Sequence, residues 1–450
     1  MDECSQLPAL VEKQRAYFRS NATRSTAFRK AQLAKLYKLV AAEEERIAWA
    51  LHADLGKSAY ESYMAETGMV LGEIRYLMRH VGRWNRARRV KTALYNMPAK
   101  SYVVPEPYGV TLVMSPWNYP FMLTLVPLAA SISAGNCVIV KPSRYSAHTS
   151  MLLKELINTA FDREYVTVVD GGHEMNSALL AQRFDFIFFT GSPAVGKVVM
   201  RAAAEQLTPV CLELGGKSPC IVEASADIRR AARRIVWGKL LNAGQTCIAP
   251  DYVLVEQPIY DALVAALRTE IAAQYGADPL KNPAFPHIIN RKHFERLCAL
   301  VPDIRSDEAS YKIAPTVVPL SLNEAETAPV MQEEIFGPIL PVISYCARTD
   351  AIAFIRSRAT PLALYVFSAD RAFQKALIGT VQSGGVCVND VVTHIASHTL
   401  PFGGMGNYHG KYGFDTFSHH KAALFRSAVD VPIRYAPYPD SLRLLKLFEH

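Results

Sequence analysis

Apolar residues recur at helical spacing over residues 28–55, at Leu33, Leu36, Leu39, Val40, Ile47 and Leu51. Gly56 stands where a left-handed residue would end that helix. A second helical pattern covers roughly residues 59–84. The texture then changes to short apolar runs alternating with helical ones. TLVMS (111–115), NCVIV (136–140), YVTVV (165–169) and FDFIFFT (184–190) form one series. CIVEA (220–224), YVLVE (252–256), ILPVISY (339–345), LALYVFS (362–368) and GGVCVND (384–390) form another. Continuous apolar character suits strands covered on both faces. Strand–helix alternation predicts a parallel, doubly wound sheet, and two series predict two α/β domains. The segment LYNMPAKSYVVPEP (94–107) reads as an extended, Pro-punctuated excursion from them. There is no internal repeat.

Composition narrows the function. Half of the 450 residues are hydrophobic and a fifth are charged, which excludes a disordered chain. Lys plus Arg exceed Asp plus Glu by 49 to 41, a mild excess with no basic stripe for nucleic acid. Arg229, Arg230, Arg233 and Arg234 recur at helical spacing and read as a solvated helix face. Eight cysteines form no CxxC pair, so neither a zinc ribbon nor a disulfide framework is expected, and the histidines show no metal-ligand spacing. A reducing, cytoplasmic setting follows as an expectation. The N-terminus lacks the apolar core of a signal peptide. The most apolar stretch, 109–140, is broken by Pro116, Pro120 and Pro127, which leaves no clean membrane span. The terminal SLRLLKLFEH is amphipathic but short, and suits packing on a neighbouring surface.

Two chemical signals stand out. In FDFIFFTGSPAVGK, a strand runs into Thr190-Gly191-Ser192. Ser192 suits an N-cap, Pro193 the first helical position, and Gly196 a close backbone approach. Such a helix start suits a phosphate, although an ordinary capped helix would read the same way. Val198 stands where a P-loop needs Ser or Thr, which argues against a nucleoside triphosphate. Lys141-Pro142-Ser143 closes another strand at the edge where ligands collect. The second signal is a parts list. SPWNYP carries Asn118, LELGGK carries Glu213, and NAGQTC carries Cys247 after a helical stretch with Trp237. An amide, a carboxylate and a thiol serve nucleophilic attack on a carbonyl. A free thiol has a pKa of about 8.5 and needs a base or a positive neighbour. Spacing alone does not bring the three together.

The segments PWNYP, KPS, FTGS, LELGGKSP, GQTC, EEIFGP (333–338) and PFGG (401–404), in that order, resemble the aldehyde dehydrogenase superfamily. LTPVCLELGGKSPC, RRIVWGKLLNAGQTCIAPDY and FDTFSHHK resemble its class 3 branch. The resemblance implies an aldehyde dehydrogenase-like α/β fold with three parts. These are a Rossmann-type dinucleotide-binding domain (1–93 and 109–214), a catalytic domain (215–419), and a small β bridging or oligomerisation element (94–108 and 420–435). A tail covers 436–450. It implies NAD- or NADP-dependent oxidation of an aldehyde, medium-chain aliphatic or aromatic, to the acid. Cys247 would be the nucleophile, Asn118 and the Cys247 N–H the oxyanion donors, and Glu213 the base. Lys141, Ser143, Arg144, Thr190, Gly191, Ser192, Gly196, Leu214, Glu334 and Phe336 would form the cofactor site, and Tyr119 and Trp237 the aldehyde tunnel. Strictly NAD-preferring relatives carry an acid where this chain has Arg144, so NADP should be accepted. A homodimer is implied through edge pairing of strands. The chain departs from class 3 in a shorter run at 404–410, in Phe285-Pro286-His287-Ile288, and near 302–313. These departures bear on substrate range. A cofactor-independent thiol hydrolase and a non-catalytic structural protein are the alternatives. Transfer to coenzyme A is disfavoured because Glu213 points to water as acceptor.

Overall fold

The computed structural model describes residues 3–404, 406–429, 435–438, 442, 443 and 446. The amphipathic tail therefore lies largely outside the described residues. The helical pattern at 28–55 is two helices, Thr26–Ala42 and Glu44–Leu55, separated at Glu43. Ser25 caps the first by accepting the Phe28 N–H, and Gly56 ends the second at φ 69°. The pattern at 59–84 is also interrupted. A single π turn, Tyr63–Thr67, separates Ala59–Ser62 from Gly68–Trp84.

The first strand series forms a five-stranded parallel sheet. Val110–Met114 lies at its centre. Cys137–Lys141 and then Val166–Val168 extend one side, while Phe186–Gly191 and then Val210–Leu214 extend the other. The chain thus reverses its direction of growth beside the central strand, which opens a crevice at the strand C-termini. Every residue of the central strand is buried, as is every residue of the covering helix Met122–Ala134. Each large apolar side chain so buried contributes about 1.5–3 kcal/mol.

The second series forms a six-stranded parallel sheet. Its order is Thr316–Ser321, Ile339–Tyr345, Tyr252–Glu256, Pro219–Val222, Ala363–Phe367, Gly385–Val388. The strand 316–321 was not expected. It is partly exposed and contains Pro319, and it sits at the sheet edge, where proline is tolerated.

The excursion before residue 108 is the strand Ala99–Pro107. It pairs antiparallel with Arg88–Val90 on one side and with Ser418–Arg426 on the other. The chain therefore returns to its first half near its end. The helix Gly410–Thr416, grouped by sequence with the second α/β unit, packs instead on Met122–Ala134 and Gly68–Trp84. Asn136 fixes the return by donating to the Phe417 carbonyl (2.9 Å). Among the described residues, no helix is long and apolar enough to cross a membrane.

Candidate active site

Sheet register decides what meets at the crevice. Met114 pairs with Lys141, and Thr190 with Glu213, so these strand ends and the loops after them share one edge. The last strand, Val210–Leu214, runs through Gly215 and Gly216 directly into the second sheet.

The loop that carries Cys247 follows the helix Ile228–Leu240. Asn242 and Ala243 have φ 52°, and Gly244 has φ 77°. Such a run costs about 1–3 kcal/mol per non-glycine residue and persists only where surroundings over-determine it. Gln245 supplies that support. Its amide donates to the carbonyls of Asn242 and His287 (3.0 Å each) and accepts the Ile289 N–H (3.0 Å). Thr246 meets the Tyr119 hydroxyl at 2.6 Å. Cys247 follows, half-buried. The Asn118 amide donates to the Gln245 carbonyl (3.0 Å), which leaves its second N–H for a ligand. Asn118 and the thiol loop are therefore in direct contact.

Burial, reinforced by Glu334 and Glu213, pushes the Cys247 thiol up to about 12. The resting group is a thiol, with both carboxyl groups in electrostatic range. Burial holds the Glu213 carboxyl well above the usual range, partly offset by the Gly404 backbone and the Cys211 thiol. Its Oε2 has no partner among the described residues. Gly403, at φ 145°, brings the loop over this carboxyl closer than a side chain would allow. Glu334 enters the crevice beside Gly215, whose missing side chain makes room for it. Burial lifts this carboxyl to about 8. Lys217 pins the loop, donating to the Glu333 carbonyl (2.8 Å) and to Asp251 (2.6 Å). Asp251 in turn accepts the Ile335 N–H (3.1 Å).

The polar groups along the crevice fit a dinucleotide. Glu334 Oε1 and Thr190 Oγ1 are buried without partners among the described residues, so each can serve a ligand. Burial lowers the Lys141 ammonium to about 8, with Asp170 opposing it. Ser192 caps the helix Pro193–Glu205, Gly191 ends the strand before it, and Gly196 lets that helix approach Leu214. Ser143 is turned into its own loop, where its carbonyl accepts from Ser146 and Ser150. Arg144 is exposed beside Tyr145. Phe336 is held at φ 54°, edge-on to Trp117 at 5.4 Å.

The two aromatic positions differ. Tyr119 is buried, and its hydroxyl holds the thiol loop. Trp237 is half-buried and borders an open surface groove with Arg229, Arg230, Arg233 and Arg234. Arg229, Arg230 and Arg233 are exposed, so the basic helix face is solvated, as its spacing suggested. No cluster of metal-ligating side chains occurs among the described residues.

Sequence reasoning missed Lys57, Glu61, Glu66, Asn242 and Gln245. One signal was available: Glu66 and Glu73 occupy the buried phase of a helical pattern with Val70, Ile74, Leu77 and Val81. A carboxylate in that phase needs a partner.

A sequence model of the aldehyde dehydrogenase family matches residues 3–423, and the chain belongs to that family. It is 42% identical to a 4,4'-diaponeurosporen-aldehyde dehydrogenase of Staphylococcus aureus, over 96% of this chain and 97% of that one. It is 44% identical to aldehyde dehydrogenase family 3 member B1 of Homo sapiens, over 97% and 96%. A solved structure described as the substrate bound state of Staphylococcus aureus AldH superposes with a TM-score of 0.95. It has 41% identity and covers 99% of both chains. The protein is an NAD(P)-dependent aldehyde dehydrogenase with the aldehyde dehydrogenase fold.

Proposed function

We propose that Cys247 releases its thiol proton to water and attacks the aldehyde carbon, and that the second N–H of Asn118, with the Cys247 backbone N–H, holds the oxygen of the resulting thiohemiacetal. The observation that carries this reading is the contact between the Asn118 amide and the thiol loop at Gln245 (3.0 Å). Removing one such donor typically costs about 10²–10³ in rate. A nicotinamide held in the crevice would supply the hydride acceptor for that carbon, and Cys247 would then carry the acyl group as a thioester. Glu213 then takes a proton from water as the water attacks the thioester, and the Cys247 sulfur leaves. Lys141, Arg144, Thr190, Gly191, Ser192, Gly196, Leu214, Glu334 and Phe336 hold the cofactor. Ser143 shapes the loop between Lys141 and Arg144. Arg144 admits the 2′-phosphate of NADP. Tyr119 braces the thiol loop, and Trp237 borders the path of a medium-chain aliphatic or aromatic aldehyde.

In the same reading, residues 1–93 and 109–214, with the helix Gly410–Thr416 packed against them, form the cofactor unit, and the rest of 215–419 the catalytic one. Residues 94–108 and 420–435 bridge to a second copy. Support for a homodimer is the edge of Ser418–Arg426 that is unpaired among the described residues, where Leu424 and Phe425 are exposed. We place the enzyme in the cytoplasm, where its eight cysteines would stay reduced.

The test is an absorbance assay for reduced cofactor across an aldehyde panel, comparing the unaltered chain with Cys247→Ser. Reduction should be lost in the variant. Ester hydrolysis without cofactor reduction in the unaltered chain would instead favour a thiol hydrolase.

A further inference from the structure

The π turn at Tyr63–Thr67 has a use. Single π turns inside helices are rare and concentrate at functional sites. Glu61 and Glu66 are five residues apart, which an α-helix would set roughly 140° apart. The wider turn narrows that angle, and both carboxyl groups are buried on the side facing the catalytic loops. Glu66 Oε1 takes the Lys57 ammonium at 2.5 Å, and its Oε2 accepts the N–H groups of Phe121 (2.8 Å) and Met122 (3.1 Å). Lys57 is fully buried. It also donates to the Asn118 carbonyl (2.9 Å) and lies 4.0 Å from the centre of the Tyr119 ring. Glu61 accepts the Asn242 N–H (2.7 Å). The Asn242 side chain then donates to the Asn118 carbonyl (2.7 Å) and the Gln245 carbonyl (3.2 Å). The loop bearing Asn118 and the loop bearing Cys247 therefore hang from one turn of helix near the N-terminus.

We propose that Lys57, Glu61 and Glu66 form a positioning bracket that fixes the Asn118 amide against the Cys247 loop and so sets the turnover rate. The proposal rests on the reading of those two residues as oxyanion donor and nucleophile. Charge divides the labour within the bracket. One buried ammonium balances one carboxylate, and a second bare carboxylate would be costly. Burial pushes both carboxyls up. At Glu66 the ammonium and two N–H donors oppose that rise, whereas Glu61 has one N–H donor, so Glu66 is the better placed of the two to carry the charge. An amide at position 61 keeps the acceptor that Asn242 needs. A methyl group does not.

The experiment compares four variants of the full chain with the unaltered enzyme: Glu61→Gln, Glu61→Ala, Lys57→Met/Glu66→Gln and Cys247→Ser. It reads kcat and KM for an aldehyde, the Kd of NADP by fluorescence, and the melting temperature. The double variant strands no charge, so it should melt close to the unaltered chain. Glu61→Ala and the double variant should lose about 10- to 100-fold in kcat while the NADP Kd stays within about twofold. Glu61→Gln should retain kcat. The bracket is refuted if Glu61→Ala and the double variant keep kcat. It is equally refuted if Glu61→Gln falls as far as Glu61→Ala, or if NADP affinity drops in parallel with kcat. Aldehyde oxidation surviving in Cys247→Ser would overturn the site reading itself.

Discussion

Alanine at Gly403 probes the loop that closes over Glu213. Gly403 has φ 145°, where a residue with a side chain costs about 1–3 kcal/mol. The new Cβ would also overlap the Gly406 carbonyl and the Glu213 carboxyl. Overpacking of this kind adds about 1–3 kcal/mol. The combined strain, about 2–6 kcal/mol, is relieved most cheaply by local movement of the loop. That movement withdraws the Gly404 backbone from Glu213, while Asn118 and Cys247 stay put on other segments. Hydrolysis of the thioester should slow, with kcat falling about 100-fold, and the first turnover should survive. Rapid-mixing absorbance would then show a burst of about one reduced cofactor per active site before a slow steady state. A variant with kcat close to that of the unaltered enzyme refutes the strain argument. Loss of the burst together with kcat refutes the assignment of Glu213 to hydrolysis.

Arg144→Glu should raise the KM for NADP about tenfold or more and spare NAD, because a carboxylate in place of the proposed donor would repel the 2′-phosphate; unchanged NADP kinetics would show that Arg144 points elsewhere. Cys247 in the cofactor-free chain should react with iodoacetamide about tenfold faster per pH unit from pH 7 to 10. With its thiol pushed up to about 12, the thiolate fraction is still climbing over that range. A plateau near pH 9, followed by mass spectrometry of the Cys247 peptide, would contradict the burial described above. Ser192→Ala removes the long cap bond to Val195 (3.5 Å) and should cost about 0.5–1 kcal/mol, seen as a small drop in melting temperature. A variant as stable as the unaltered chain would mean the cap contributes nothing.

Strands buried on both faces were legible because their apolar runs have no competing reading; Tyr252–Glu256 and Ile339–Tyr345 match their predicted spans. The cap at Ser192 was legible for a similar reason, since Ser-Pro after a strand has few other uses. Thr316–Ser321 was not, because an exposed edge strand with a proline carries no alternation. The π turn was hidden because one extra residue per turn barely disturbs a helical pattern. The left-handed Asn242-Ala243 pair was hidden because neither residue type demands that conformation. The partners of Asn118 could not be read from spacing. Lys57 lies 61 positions before it and Gln245 lies 127 after it, so only the folded chain brings them together.

The late return of the chain has a consequence for its synthesis. Ala99–Pro107 waits for Ser418–Arg426, and the flank of Met122–Ala134 waits for Gly410–Thr416. While the ribosome is still making the second sheet, the first half keeps an unpaired strand edge and an uncovered apolar flank. At about 5–20 residues per second, that interval lasts many seconds. A nascent chain of this kind is a natural client for chaperones, and truncations near residue 405 should aggregate rather than accumulate as a folded half-enzyme.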